Sequence, residues 1–448
     1  MTFEDPTICR KEIATMRISL AVLTMWVVSV VPATGGEDWP QWRGAQRDGV
    51  WREEGLTDRF DQPQIPIRWT VPIGSGYTGP TVADGRVYVM DRLTEPEQTE
   101  RVLCFDWQTG ESLWSHAYEC VYVGIGYQAG PRASVTIDEG RAYSIGAMGH
   151  LFCFDAATGQ VHWNRDLNTE YSIRMPKWGI ASAPLIEDDL VILHIGGEDA
   201  CLVAFDKVTG QERWKALSDD ASYSAPIVVD QAGHRVLVCY TGDRIVGLDP
   251  ASGELHWAFP HPWENWPIAI STPVVQDDLL LLSDAHKGSL LLRLLQDRVD
   301  IQKVWHRRRE EVPNQEALHC LNSTPMIDGD SIYGADGRGI LRCLDLATGE
   351  QIWQDETATP PTRFGTVHLV RQGDRTWLFN ERGELIIGRL TPEGFEELSR
   401  AKLIETTTEQ YRVRDGVTWS HPAFAYQHVF ARNDRELLSA DLSAASDQ

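Results

Sequence analysis

One phrase recurs five times in this sequence and limits what the chain can fold into. It reads Asp106…Thr109-Gly110…Trp114, Asp155…Thr158-Gly159…Trp163, Asp206…Thr209-Gly210…Trp214, Asp249…Ser252-Gly253…Trp257 and Asp345…Thr348-Gly349…Trp353. The tryptophan follows its aspartate by the same interval in every copy. A fixed internal period means a repeat architecture rather than a string of unrelated domains.

Each copy follows a short apolar run, such as Val102-Leu103-Cys104-Phe105 or Leu202-Val203-Ala204-Phe205. Runs of this kind, bounded by turn formers, read as buried strands. The aspartate can fold its carboxylate back onto backbone N–H groups, and the glycine supplies a positive φ at little steric cost. The phrase is therefore a hairpin whose second strand ends in tryptophan, with the indole expected between neighbouring units. Upstream lies a second hairpin, opened by pairs such as Gly79-Pro80, Ala183-Pro184, Thr272-Pro273 and His421-Pro422 and turned at acidic or glycine pairs such as Asp84-Gly85 and Asp188-Asp189. Four antiparallel strands per unit make a propeller blade.

The closing tryptophans Trp69, Trp114, Trp163, Trp214, Trp257, Trp305 and Trp353 are 43 to 51 residues apart, and the next step lands on Leu398. That gives eight fourth strands. Trp69 has only part of a blade before it, while Trp419 to Leu442 holds three strands and lacks a fourth. The fold expected is thus all-β: an eight-bladed β-propeller of four-stranded antiparallel blades, closed by an N-terminal strand that completes the last blade. Arg68-Trp69-Thr70-Val71 is expected beside Glu436-Leu437-Leu438-Ser439, which leaves no open sheet edge at the seam. The expected organisation is a signal peptide over 1–35, an extension over 36–64 packing on the propeller, the propeller over 65–443 and a tail over 444–448.

A formal charge of −24 argues against nucleic acid or an anionic membrane as the main partner. Much of the acid sits in the hairpin turns. Ile18 to Val31 is apolar, preceded by Arg10, Lys11 and Arg17 and followed by small residues, which is a secretory leader pattern with Met16 as an alternative start. A periplasmic or secreted location follows, and no cysteine stands just after the leader to carry a lipid anchor. Seven cysteines remain beyond Cys9. Cys104, Cys153 and Cys343 share one core position, while Cys120 and Cys320 fall in loops where a disulfide is conceivable but unsupported.

The strand, Asp-x-x-Thr-Gly and closing Trp together resemble the pyrroloquinoline-quinone-like (PQQ-like) repeats. Such repeats build the quinoprotein alcohol dehydrogenases and the propeller subunit of the outer-membrane protein assembly machinery, the BamB-like group. The similarity spans about Ile65 to Leu442, and Asp38-Trp39-Pro40-Gln41-Trp42-Arg43-Gly44 resembles an opening found in secreted bacterial proteins of this class. The dehydrogenase resemblance implies PQQ with calcium, yet the adjacent cysteine pair and the Cys-x-x-Cys-His haem site of those enzymes are missing, and no catalytic or metal-ligating residue carries over. The BamB-like resemblance fits better in size and implies a non-catalytic protein, although that subunit is usually a lipoprotein.

Propellers bind at the mouth of the central channel. Here the loops leading into the innermost strands are rich in aromatics and arginine: Tyr127…Arg132, Arg174…Lys177-Trp178, Tyr223, Trp263-Glu264-Asn265-Trp266, Asn322, Thr362-Arg363-Phe364 and Tyr411-Arg412…Trp419. Arg132, Trp178, Tyr223, Trp266, Asn322, Arg363 and Trp419 are the binding candidates. Such a ring suits a planar anionic ligand or a peptide carboxylate; packing of the loops on one another is the competing reading. The function expected is an exported propeller that holds a protein or peptide of the cell envelope. A PQQ-dependent oxidoreductase and a carbohydrate- or polymer-binding propeller are the alternatives.

Overall fold

Eight separate four-stranded antiparallel sheets account for nearly every strand of the protein. The structure is a computed structural model and describes residues 36–263, 267–308, 317–412 and 416–444. The leader, most of the tail and Trp266 lie outside the described residues. The first blade runs Thr81–Ala83, Arg86–Leu93, Thr99–Asp106 and Ser112–Glu119, and six more follow in the same consecutive order. The eighth is composite: Ala423–Ala425, His428–Arg432 and Glu436–Asp441 are completed by Ile67–Pro72. Trp69 pairs with Ser439, Thr70 with Leu438 and Val71 with Leu437. The seam is therefore closed by the strand pair expected from the sequence, and the two ends of the repeat region share one sheet.

The recurring phrase turns out to be two devices. The first is the turn itself. Asp155 Oδ1 accepts from the Thr158 backbone N–H and hydroxyl at 2.8 Å each. Gly159 N–H returns to the Asp155 carbonyl at 2.9 Å with φ of +73°. The same bonds recur at Asp106, Asp206, Asp249 and Asp345. These bonds favour the ionised carboxylate and pull Asp155 and Asp206 below the usual range.

The second device couples blades. Five closing indoles donate to the carbonyl just after the next blade's aspartate, and Trp353 donates to Thr391 O of the seventh blade's turn at 2.8 Å. Trp69 bonds to Trp107 O (2.8 Å), Trp114 to Ala156 O (3.0 Å), Trp163 to Lys207 O (3.3 Å), Trp214 to Pro250 O (2.9 Å) and Trp305 to Leu346 O (2.9 Å). The rings of these five indoles, Trp69, Trp114, Trp163, Trp214 and Trp305, lie against the next turn's glycine. A Cβ on Gly159 would sit 2.6 Å from Trp114, and on Gly210 2.6 Å from Trp163. Glycine is thus needed twice, for its φ and for its missing side chain.

The fifth blade lacks the Thr-Gly turn, and there the link is relayed. Trp257 donates to the buried Gln231 side chain (3.0 Å), which donates to Asp300 O (2.5 Å) in the next blade.

The segment ahead of the first strand is built into the ring. Trp39 bridges to Val82 of the first blade, Pro40 O accepts from Ile137 of the second, Val50 bridges to Arg371 of the seventh and Leu56 to Ser443. Trp39, Trp51, Leu56 and Ile65 are buried in one cluster with Trp377, Phe424 and Phe430, which spans the seam. All seven cysteines of the described residues are buried free thiols, Cys120 and Cys320 included.

Alanine at Gly159 meets both the strained φ and the Trp114 ring. Alanine at Gly140 meets the same φ of +73° with nothing within 4 Å. Gly159→Ala is expected to lose about 3 kcal/mol in urea denaturation and Gly140→Ala about 1 kcal/mol. Equal losses would show that the indole contact contributes nothing.

Candidate functional site

In an antiparallel blade the connection between blades and the turn from second to third strand open on one face. The repeat turns open on the other. On the first face the eight blades surround a cavity of about 1600 Å³. Arg132, Trp178, Tyr223, Asn322, Arg363 and Trp419 all line it. The seventh candidate, Trp266, lies outside the described residues. Arg174 is drawn away to the rim, where it pairs with Asp220 at 2.5 Å and donates to Ser218 O.

The cavity is blind, because the N-terminal segment corks the channel. The Trp42 indole donates to Thr272 Oγ1 (2.8 Å), ahead of the fifth blade's inner strand, and its ring meets the His421 ring edge-on at 4.4 Å, ahead of the eighth. Behind it are two buried guanidinium groups. Arg47 donates to the carbonyls of Ala183 and Pro184 at 3.2–3.3 Å, and Arg43 to those of Arg47 and Asp48. Neither makes an ion pair among the described residues. Burial lowers Arg43 to about 10 and Arg47 to about 9, which leaves both charged at neutral pH. Residues 38–51, expected from the sequence to pack on the propeller, thus also supply a floor that carries Arg43 and Arg47.

The walls divide into two parts. One is aromatic and continuous. Tyr223 contacts Trp178 (centroids 5.0 Å), Trp178 contacts Tyr127 (6.0 Å), and Tyr127 reaches both Tyr411 and Trp419, which stack on each other at 5.0 Å and reach Phe364. Burial raises the Tyr223 hydroxyl to about 12. The Trp419 indole N–H is buried without an acceptor among the described residues.

The other part is charged. Six Arg and Lys side chains line the cavity (Arg132, Lys177, Lys287, Arg338, Arg342 and Arg363) against two carboxylates, Asp336 and Glu356. Arg132 is spent on its own loop, donating to the carbonyls of Gly126, Tyr127 and Gly130 and facing Tyr77. Arg342 holds Asp336 through two bonds of 3.0 and 2.9 Å. Asn322 donates to Thr366 Oγ1. Arg338 and Arg363 are exposed, and their guanidinium groups make no hydrogen bond or ion pair among the described residues; Arg363 lies 4.6 Å over the Phe364 ring.

Sequence reasoning considered only the loops between blades. Lys287 and Arg338 come from turns between second and third strands, which antiparallel alternation places on the same face. His368 and His421 also line the cavity: His368 is the second residue of the seventh blade's inner strand, and His421 stands just ahead of the eighth's. His421 Nε2 accepts from Ser134 Oγ (2.8 Å), with Nδ1 toward Pro422 O, and His368 Nε2 donates to Trp419 O (2.9 Å). Burial lowers His368 to about 4 and His421 to about 3, the latter with help from His368 and Arg43.

Calcium takes about six to eight oxygen ligands. The donor set here is two carboxylates, one already held by Arg342, amid six cations. These residues do not fit the calcium that the quinone enzymes imply.

An octad of PQQ-like blades around a channel mouth defines the class, a PQQ-like propeller protein. A family profile described as "Outer membrane protein assembly factor BamB" matches residues 98–262 and 226–378, and the chain belongs to that family. BamB of Yersinia pestis is 22% identical over 241 residues, covering 51% of this chain and 58% of that protein. The chain thus spans only a little over half the length of that relative. Among solved structures, BamB from Moraxella catarrhalis superposes with a TM-score of 0.58 at 16% identity, covering 86% of this chain and 99% of that one. Quinohemoprotein alcohol dehydrogenase from Comamonas testosteroni superposes with 0.65 at 13% identity, covering 92% and 81%. At these identities the structures speak for the fold alone.

Both histidines are buried neutral, so unfolding takes up protons wherever the unfolded imidazole is protonated and the folded one is not. Their contribution is complete above about pH 6.5 and is lost as the pH falls toward 4. His421→Gln is expected to flatten the pH dependence of unfolding free energy between pH 6 and 5 by roughly 1 kcal/mol per pH unit. An unchanged slope in urea titrations would mean that His421 is not held neutral.

Proposed function

We propose that this protein is an exported binding propeller which seats a protein partner of the cell envelope in its channel mouth, in the service of envelope assembly. The blind cavity is the observation that carries the reading: it is walled by five contiguous aromatic rings, Tyr223, Trp178, Tyr127, Trp419 and Phe364, and opens beside exposed apolar side chains. Val121 and Val123, 48% and 67% exposed, stand on the loop that carries Tyr127 into the cavity. Exposed aliphatic side chains flanking an aromatic pocket suit a protein surface, whose core is apolar and whose anchors are aromatic. A sugar polymer gains little from Val123. Membership in the BamB family supports the envelope setting.

The test is capture from a detergent extract of the source envelope with immobilised protein, alongside a Trp178→Ala/Trp419→Ala variant. The expected result is a reproducible partner that the variant, with an unaltered melting temperature, retains about tenfold less well. Equal capture by both would remove the mouth from the function. Titration with PQQ and calcium, followed by tryptophan fluorescence, is expected to give no saturable quenching; saturable quenching would favour the oxidoreductase.

A further inference from the structure

The charge of the cavity is opposite to that of the chain. The whole sequence carries −24, yet the cavity walls carry six Arg and Lys against two carboxylates. Three groups of cations contribute, and each is arranged differently.

The first group is the floor. Arg43 and Arg47 are buried behind Trp42 and held by backbone carbonyls, with no carboxylate in ion-pair range among the described residues. Asp48 offsets part of the Arg43 charge, whereas Arg47 has no carboxylate acting on it; the field still reaches the cavity, where Arg43 helps to keep both His368 and His421 unprotonated. A buried charge is costly to keep and acts through a low-dielectric surrounding, so it biases what occupies the space above it.

The second group is the rim. Arg338 and Arg363 stand on adjacent loops, joined by the bridge of Arg338 to Gly365 and by the Thr362 N–H on Arg338 O at 3.0 Å. Both guanidinium groups are exposed and unpaired, and Arg363 begins the aromatic wall at Phe364. The third group is Lys177, ahead of the third blade and across the mouth from Arg363, and Lys287 on the fifth blade, next to the blade of Arg338 and 5.3 Å over the Trp263 ring.

Elsewhere on this chain arginines find acid readily: Arg235 pairs with Glu187 and Asp230, Arg400 with Glu384 and Glu397. Two adjacent arginines left unpaired in a chain with so much acid stand out. Because the floor is corked, a polymer cannot thread the channel; it enters by a loop or an end.

Resting on the binding reading above, the geometry points to an acidic peptide segment as the ligand. Its carboxylates sit on Arg338 and Arg363, and its aromatic or aliphatic side chains lie along Phe364, Trp419, Tyr127 and Trp178. Guanidinium forks match carboxylates in two parallel bonds, and a cationic well in an acidic surface focuses an anionic segment toward it while the rest of the surface repels other acids.

The probes are two amidated, fluorescein-labelled dodecapeptides, one alternating Glu and Tyr and the other alternating Gln and Tyr, read by fluorescence anisotropy against the purified exported chain. The Glu peptide is expected to bind at least about tenfold more tightly than the Gln peptide, and the advantage is expected to shrink as salt rises. Arg338→Ala/Arg363→Ala is expected to abolish the advantage without shifting the melting temperature, since neither guanidinium has a hydrogen bond or ion pair to lose among the described residues and the Arg363 contact with Phe364 is exposed. Trp178→Ala is expected to weaken both peptides alike.

Equal binding of the two peptides, persistence of the preference in the double arginine variant, or no saturable binding of the Glu peptide up to about 1 mM would each overturn the acidic assignment. If envelope capture still depends on Trp178 and Trp419 in any of those cases, the binding reading stands and only the ligand's charge is wrong. If capture is also lost, the mouth itself is not the site.

Discussion

Everything in this ring depends on one contact, an indole laid against a glycine. The closing tryptophan of one blade covers the turn glycine of the next and donates to the carbonyl just beyond the turn aspartate. The contact combines a large apolar area, a satisfied buried N–H and a backbone conformation that only glycine adopts cheaply. Because the acceptor carbonyl belongs to the turn, the aspartate that shapes the turn also positions the acceptor. Repeated at five of the eight junctions, this sets the spacing of the inner strands and with it the width of the mouth. Where the turn sequence is lost, Gln231 carries the bond across instead, so the coupling persists when its usual residues do not.

A ring must also close. Ile67–Pro72 completes the last sheet, and the preceding segment continues the closure through the channel itself. Trp39 and Trp51 join the core that spans the seam, Trp42 corks the pore between Thr272 and His421, and Arg43 and Arg47 sit behind it. One stretch of chain therefore does two jobs. It ties the first and last blades together, and it turns a through-channel into a well with a charged base.

The fold was legible because its signals are local. An aspartate, a glycine and a tryptophan at fixed spacing report a turn and a neighbour, and counting tryptophans gave both the number of blades and the strand that closes them. The site was legible in half. Arg132, Trp178, Tyr223, Asn322, Arg363 and Trp419 were readable because they precede inner strands, and six of the seven candidates meet in one cavity while Trp266 lies outside the described residues. Their roles were not readable. Arg132 lines the cavity as its position suggests, while its guanidinium also donates to three carbonyls of its own loop. Arg338, Lys287, Trp42 and Arg47 carry no pattern that marks a channel. They arrive there through strand alternation and through a segment that folds back across the ring, which are properties of the closed circle.

The central claim is that the segment ahead of the first strand is a structural member of the ring and forms the floor of the mouth. Hydrogen–deuterium exchange of the purified protein tests it directly. The account predicts that amides of Trp39, Trp51 and Thr70 exchange as slowly as those of Val82 and Leu438, with which this segment pairs or packs, so that all are released together on unfolding. Exchange of residues 38–72 within seconds, while the inner strands stay protected, would contradict it.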